Sequence, residues 1–103
     1  MTTPVIFRKE SYDKFIDGMI IAFFPTLPGT HVPSSCSCYA HIGQHGAAHK
    51  DYYTQKTKPA TPDEYKDLLD ELISIGYDDL DICTRWTAYF DQLRLQELKD
   101  MYE

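Results

Sequence analysis

The residues able to do chemistry are concentrated in one stretch, CSCYAHIGQHGAAH, which runs from Cys36 to His49. Cysteine and histidine are the residue types that most often bind zinc and related metals. His41, His45 and His49 recur every four positions, so a continuous helix would place their imidazoles on one face, close enough to share an ion. A metal site at these three histidines is therefore one hypothesis.

Two glycines argue against such a helix. Gly43 and Gly46 each cost about 0.8–1 kcal/mol relative to alanine inside a helix, and the cysteine and histidine spacing lacks the paired C-x2-C pattern of common zinc sites. We therefore predict a strand that leads into a bend at Gln44-His45-Gly46, with the three rings pointing apart and with no metal or other cofactor. A short helix from Ala47 to about Tyr53 is expected to follow.

Other catalytic patterns are weak. Cys36 or Cys38 could act as a nucleophile with His41 as its base, but no third group is indicated that would orient the histidine. Glycine-rich phosphate loops are absent. The acidic cluster of Asp78, Asp79 and Asp81 lacks the glycine and the terminal glutamate of an EF-hand loop, so we interpret it as a solvated turn. The sequence favours a protein that is not an enzyme.

Length and charge limit the remaining possibilities. The 103 residues, 43% hydrophobic, suit one domain spanning residues 1–103. No apolar run is long enough for a membrane span and the cysteine number is odd, so we expect a cytoplasmic protein with reduced thiols. Residues 1–60 carry six basic and four acidic side chains, whereas residues 61–103 carry four and twelve. The acidic second part argues against DNA binding through that half.

The first half reads as strands. Val5–Lys9 is β-branched and aromatic, and Met19–Phe24 is an unbroken apolar run typical of a central strand, which we expect Pro25 to end. A loop is predicted over Thr26–Ser35, and a third strand over Cys36–Ile42.

The second half begins with the clearest helix. Thr61 and Glu64 can form a capping box, Pro62 suits the first turn, and Gly76 can end the helix. Its predicted apolar face contains Tyr65, Leu68, Leu69, Leu72 and Ile73. Leu80, Ile82 and Thr84 alternate with polar residues and predict another strand with one buried face, and a terminal helix is predicted from about Thr87.

These elements predict an α+β fold. We expect a small, mainly antiparallel sheet of three or four strands, with the Thr61 helix packed on one face and a C-terminal helix that covers the sheet. Pairing of the C-terminal helix with a second copy of the chain, as a homodimer, is the alternative for its apolar surface.

A resemblance is carried by Phe7–Lys9, Gly18–Pro25, Tyr39–Gly46, Lys58–Tyr65 and Ser74–Tyr77. These segments, spread over most of residues 7–77, resemble a group of small uncharacterised bacterial proteins often carried by phages and other mobile elements. The resemblance implies an origin, but no activity. This chain differs in its long polar connection after Lys9 and its long helix after Trp86, so the resemblance implies no oligomeric state.

We therefore predict a protein-interaction or regulatory module of mobile-element origin. Its predicted binding surface consists of Gln44, His45, Gly46, Tyr52 and Tyr53, and its partner is an unknown protein. One alternative is an accessory protein that binds nucleic acid through the cations of the first half, namely Arg8, Lys9, Lys50, Lys56 and Lys58, with tyrosines between them. A metal-binding protein is the second alternative.

Overall fold

A computed structural model of the chain describes residues 2–10, 18–40 and 44–102. These residues form six strands and three helices: β1 (Thr3–Glu10), β2 (Ile20–Pro28), β3 (Ser35–Ala40), β4 (Gln44–His49), α1 (Lys50–Lys56), β5 (Thr57–Pro59), α2 (Pro62–Ser74), β6 (Leu80–Cys83) and α3 (Ala88–Tyr102). The predicted α+β class, with a mainly antiparallel sheet and a C-terminal helix, is confirmed. Six strands lie in the sheet, where three or four were expected.

Strand β1 organises the sheet. The order is β4-β3-β2-β1, and both β5 and β6 pair with the far side of β1. Strand β5 pairs antiparallel with Arg8–Glu10, and β6 pairs parallel with Thr3–Ile6. The two short strands therefore lie end to end along one edge of the sheet, and β4 forms the opposite edge.

Both faces of the sheet are covered, as the unbroken apolar run of β2 predicts. Val5, Phe7, Ala22 and Phe24 point to the face covered by α2, where Leu68 and Leu72 are buried. The intervening side chains of the same strands point to the other face. There they form a second core with α1 and α3: Ile6, Ile21, Phe23, Cys36 and Tyr53, with Trp86 and Phe90 packed against them.

The predicted ends of α2 are confirmed. The Thr61 hydroxyl accepts from the Glu64 amide, and the Glu64 carboxylate accepts from the Thr61 amide. At the other end, Gly76 has φ +119°, and the amide of Tyr77 donates to the carbonyl of Leu72 at 3.1 Å. This is the pattern of a Schellman cap. The predicted apolar face is wrong at Ile73, which is 54% exposed.

The prediction that Pro25 ends the central strand is wrong. Strand β2 continues to Pro28, and its register with β3 shifts between Phe24 and Pro28, as at a β-bulge. The carbonyl of Pro25 accepts from Arg94 Nη1 at 2.8 Å. A buried side chain of α3 therefore satisfies a backbone group at the irregular part of the strand.

The last strand and helix follow the prediction in part. Strand β6 is present, but Ile82 is 41% exposed and does not belong to a buried face. Helix α3 begins at Ala88, one residue after the predicted start at about Thr87. The carbonyl of Thr87 accepts a hydrogen bond from the Phe90 amide. Phe90 packs against the sheet, as expected. Among the helices of the described ranges, none has the length and apolar character needed to cross a membrane.

Candidate binding edge at strand β4

The segment predicted to bend is a strand. Gln44–His49 pairs antiparallel with β3 in continuous register, from Ala40 opposite Gln44 to Ser35 opposite His49. The predicted bend at Gln44-His45-Gly46 and the predicted helix start at Ala47 are therefore wrong, and α1 begins at Lys50. The ladder with β3 outweighs the weak strand propensity of glycine, because it supplies hydrogen-bond partners along the whole segment.

The outer side of β4 presents backbone groups for pairing. The amide of Lys50 donates to the carbonyl of Ser34 at 2.9 Å, one step beyond the His49–Ser35 pair and in the same register. Bonded and non-bonded pairs alternate in an antiparallel ladder. Gln44, Gly46 and Ala48 therefore bond to β3. The N–H and C=O groups of His45 and Ala47 and the N–H of His49 point away from the sheet, whereas the C=O of His49 belongs to the first turn of α1, of which His49 is the N-cap. No strand within the described residues pairs with this outer side.

The two edges of the sheet differ in how they are protected. The opposite edge consists of β5, three residues long with Lys58 and Pro59, and β6, four residues long with Asp81. Short strands, charges and proline are the usual means of preventing unwanted pairing at an edge. Strand β4 has six residues, QHGAAH, with neither proline nor an Asp, Glu, Lys or Arg side chain. It is the less protected edge.

His45 is held in place by two tyrosines. Its ring lies edge-on to Tyr39, the directly opposite residue of β3, with ring centroids 4.6 Å apart. Its Nε2 lies 3.1 Å from the hydroxyl of Tyr77, whose ring stacks on Phe24. Burial, and after it the Asp79 carboxylate, raises the pKa of Tyr77. The phenol therefore stays protonated at neutral pH and can donate to His45. The imidazole remains exposed while its orientation is fixed.

His49, at the other end of β4, lies in an arrangement that resembles a catalytic triad. Its Nε2 is 2.6 Å from Ser34 Oγ, and its Nδ1 is 3.6 Å from Asp51 Oδ2. Hydrolytic triads contain these three residue types in this order of contact. No sequence pattern reveals this group, because Ser34 and His49 are brought together only by the pairing of β3 with β4.

The hydrogen bonds of this group are unsuited to catalysis. His49 is the N-cap of α1, and its Nδ1 accepts the amide proton of Asp51 at 3.2 Å. In a neutral imidazole one nitrogen accepts and the other carries the proton. The proton of His49 therefore lies on Nε2 and is donated to Ser34, whereas a general base needs a free Nε2 to take the serine proton. The group is a helix cap and gives no activated nucleophile.

Two of the three histidines of the metal hypothesis, His45 and His49, lie within the described residues. His45 and His49 lie on one face of β4, but at four strand positions they are roughly 13 Å apart. One ion cannot bind both, because Zn–N bonds are about 2 Å long. His41 and Gly43 lie outside the described residues. Within the described ranges, no group of three or more histidine, cysteine or acidic side chains is arranged to hold a metal.

The cysteines are poor nucleophiles. Burial raises the pKa of Cys36 to about 12, a rise that the nearby Arg94 only partly offsets. Burial also raises the pKa of Cys38. Both are free thiols. At neutral pH they are protonated, and a thiol reacts far more slowly than a thiolate. Cys36 lies in the core, where a free cysteine packs as a small apolar residue.

The two tyrosines of the predicted surface lie on the other face of the sheet. Tyr53 is 6% exposed, with its ring edge-on to Phe23 and beneath the guanidinium of Arg8 at 4.4 Å. It is a core residue, so its prediction as a surface contact is wrong. Tyr52 is half-buried, and its hydroxyl donates to Glu10 at 3.0 Å. The candidate edge therefore consists of β4 alone.

Three of the five cations that would contact nucleic acid bind other parts of the protein. Arg8 donates to the hydroxyl and the carbonyl of Thr57, beyond the C-terminus of α1. Lys9 pairs with Glu64, and Lys50 pairs with Asp91 at 2.7 Å. Lys56 and Lys58 are exposed. Among these five cations, only Lys56 and Lys58 therefore remain fully on the surface, and the other three take part in contacts within the fold.

No family model matches the sequence, and neither the curated proteins nor the solved structures contain a significant match. Functional interpretation therefore depends on the geometry of this chain.

Proposed function

We propose that this protein is a non-enzymatic interaction module that binds an extended segment of a partner protein along β4. The supporting observation is the unprotected outer side of this strand, where the amides of His45, Ala47 and His49 and the carbonyls of His45 and Ala47 point outward. An added strand would form main-chain hydrogen bonds there, a common mode of peptide recognition. In line with the sequence resemblance, we propose an accessory or regulatory role in a bacterial mobile element.

The side chains of β4 suit an added strand. Gly46 and Ala47 are small and exposed, so they leave room for larger side chains of the partner. The oriented His45 ring supplies a polar and aromatic contact beside them. Two copies of this chain, each with a net charge of −6, repel one another. This favours a different protein as the source of the segment.

The test uses one substitution that affects only the outer side. Ala47→Pro removes an amide that does not bond to β3, and proline is tolerated at edge positions whose N–H faces solvent. Ala47→Ser is the matched control, because it keeps the amide and a small side chain. Both variants and the wild-type chain are used to capture proteins from the native host. Hydrogen exchange is then measured on the recovered complex.

We expect one protein to be retained by the wild type and by Ala47→Ser and lost with Ala47→Pro, with slowed amide exchange at His45, Ala47 and His49 in the complex. The proposal fails if Ala47→Pro recovers the same proteins, or if exchange at these three amides is unchanged. A wild-type dimer that Ala47→Pro converts to a monomer would also overturn it, because the edge would then bind a second copy.

A further inference from the structure

A second surface lies along α3 and does not include β4. A groove of about 540 Å³ separates α3 from the start of β1, the bulged end of β2 and the turn before β6. This volume lies within the range of about 300–1,000 Å³ typical of small-molecule sites. None of the β4 residues lines it, so the groove is independent of the proposed strand-binding edge.

The walls of the groove are apolar and partly aromatic. Pro4 and Leu27 come from the sheet, and Tyr89, Phe90 and Leu93 come from the first turns of α3. Tyr89 is 62% exposed and Leu93 is 38% exposed. Large apolar side chains with this exposure surround a concave surface here. Covering them with a ligand would be favourable, because it removes apolar surface from water.

The polar groups around these walls have one sign of charge. Asp79, Asp81 and Glu97 line the groove, and none of its lining residues is a lysine, an arginine or a histidine. The hydroxyl of Thr3 donates to Asp79 Oδ2 at 2.7 Å. Asp81 and Glu97 are exposed, and no ion pair joins them to a cation in the described parts of the chain. Three carboxylates beside an apolar wall attract a positive charge.

We propose that this groove binds a small organic cation with an apolar body, such as an arylalkylammonium ion. The apolar part would lie against Leu27 and Leu93. The ammonium group would lie near Asp81 and Glu97, and the exposed face of the Tyr89 ring adds a cation–π contact. A second copy of the chain does not suit the groove, because symmetric docking would bring two acidic rims together. The three carboxylates also exclude an anionic ligand, because like charges repel.

Two probes of matched shape separate the charge from the apolar contact. Tryptamine carries an ammonium group on an indole, and indole-3-propionic acid carries a carboxylate on the same ring. Each is titrated into the ¹⁵N-labelled full chain, and amide chemical shifts are followed by NMR. The variants are Asp81→Asn with Glu97→Gln, and a control of equal charge change on α2, Asp67→Asn with Asp70→Asn.

We expect tryptamine to shift the amides of Leu27, Tyr89 and Leu93, and to bind at least about tenfold more tightly than indole-3-propionic acid. The Asp81/Glu97 variant should lose about fivefold in affinity for tryptamine, and the α2 variant less than twofold. The proposal is overturned if tryptamine shifts no groove amide at millimolar concentration. It is also overturned if the two probes bind equally, or if the α2 control loses as much affinity as the groove variant.

Discussion

His49 donates its Nε2 proton to Ser34 Oγ across 2.6 Å, in the direction opposite to that of a catalytic histidine. The bond from the Asp51 amide to Nδ1 fixes this tautomer. We therefore expect ¹⁵N NMR of the neutral ring to show the proton on Nε2. We also expect a fluorophosphonate reagent to leave Ser34 unmodified, as judged by mass spectrometry of the intact chain and its peptides.

A matched pair of substitutions at His49 tests whether its side chain caps α1. His49→Asn keeps a side chain that can accept the Asp51 amide, whereas His49→Ala cannot, and loss of an N-cap costs about 1 kcal/mol. The free energy of unfolding should fall with alanine and change little with asparagine. A fluorophosphonate adduct on Ser34 in the wild type would show that the serine is activated after all.

The stability of the fold also depends on the buried side chain of Arg94. It is 3% exposed, donates to the carbonyls of Pro25 and Pro33, and pairs with Asp91 at 2.9 Å. Arg94→Met keeps much of the side-chain volume but removes the donor of the buried Pro25 carbonyl, of the more exposed Pro33 carbonyl and of Asp91. We expect a loss of about 2–4 kcal/mol in the free energy of unfolding, measured by urea denaturation.

The control for this variant is Arg85→Met, which makes the same chemical change at an exposed residue. It should alter stability by no more than about 0.5 kcal/mol. Equal losses at both positions would mean that the removed charge, rather than the buried hydrogen bonds, determines the effect.

The pairing of Lys9 with Glu64 makes the stability of the fold change with pH in the acid range. The hydrogen bond from Lys9, and after it the Thr61 amide, lowers the pKa of Glu64 from its ordinary 4.5 to about 2. Since the folded-state pKa is the lower one, the stabilisation is fully present above about pH 4.5 and is lost as the pH falls towards 2. Glu64→Gln removes this ionisation. The wild type should therefore exceed the variant in melting temperature at pH 6, and the difference should shrink through this window.

Lys9→Met provides the control for the pH dependence, because it removes the largest cause of the pKa shift. In a double-mutant cycle, the effect of Glu64→Gln should be smaller and less pH-dependent on the Lys9→Met background. An equal pH dependence on both backgrounds would mean that Lys9 does not cause the shift.

Local interactions explain which parts of this fold could be predicted from the sequence. The caps of α2 depend on Thr61, Glu64 and Gly76, which lie within or next to the helix that they end. The central strand is recognisable because its run of apolar residues is buried on both faces. In each case the determining contacts are close in sequence or depend on residue type alone.

Strand β4 and its contacts could not be predicted in this way. Its sequence shows no strand alternation, and it becomes a strand because β3 provides a partner. The contact of His45 with Tyr77 spans 32 positions, and that of Ser34 with His49 spans 15. The exposure of Ile82 likewise depends on the position of β6 at an edge. These features follow from topology, which no local pattern encodes.

Two glycines near the candidate edge should differ in their tolerance of a side chain. A Cβ on Gly29 would lie 2.4 Å from the carbonyl oxygen of Cys36 and 2.7 Å from the Cβ of Ala47, whereas a Cβ on Gly46 would lie 3.7 Å from Cys38 Sγ. The first contact is a clash with backbone, and the second is ordinary packing. Gly29→Ala should therefore cost about 1–3 kcal/mol in urea denaturation, and Gly46→Ala less than about 0.5 kcal/mol.

The same pair of variants tests how β4 is supported. Because Gly29 lies against Ala47, the clash in Gly29→Ala should also displace β4, and the amides of Gly46 and Ala48, which bond to β3, should exchange faster with solvent. In Gly46→Ala the ladder is intact, so exchange at Ala48 should match the wild type. If Gly46→Ala is the more damaging of the two substitutions, the pairing of Gly46 with Cys38 is wrong, and with it the register that turns His45, Ala47 and His49 outward.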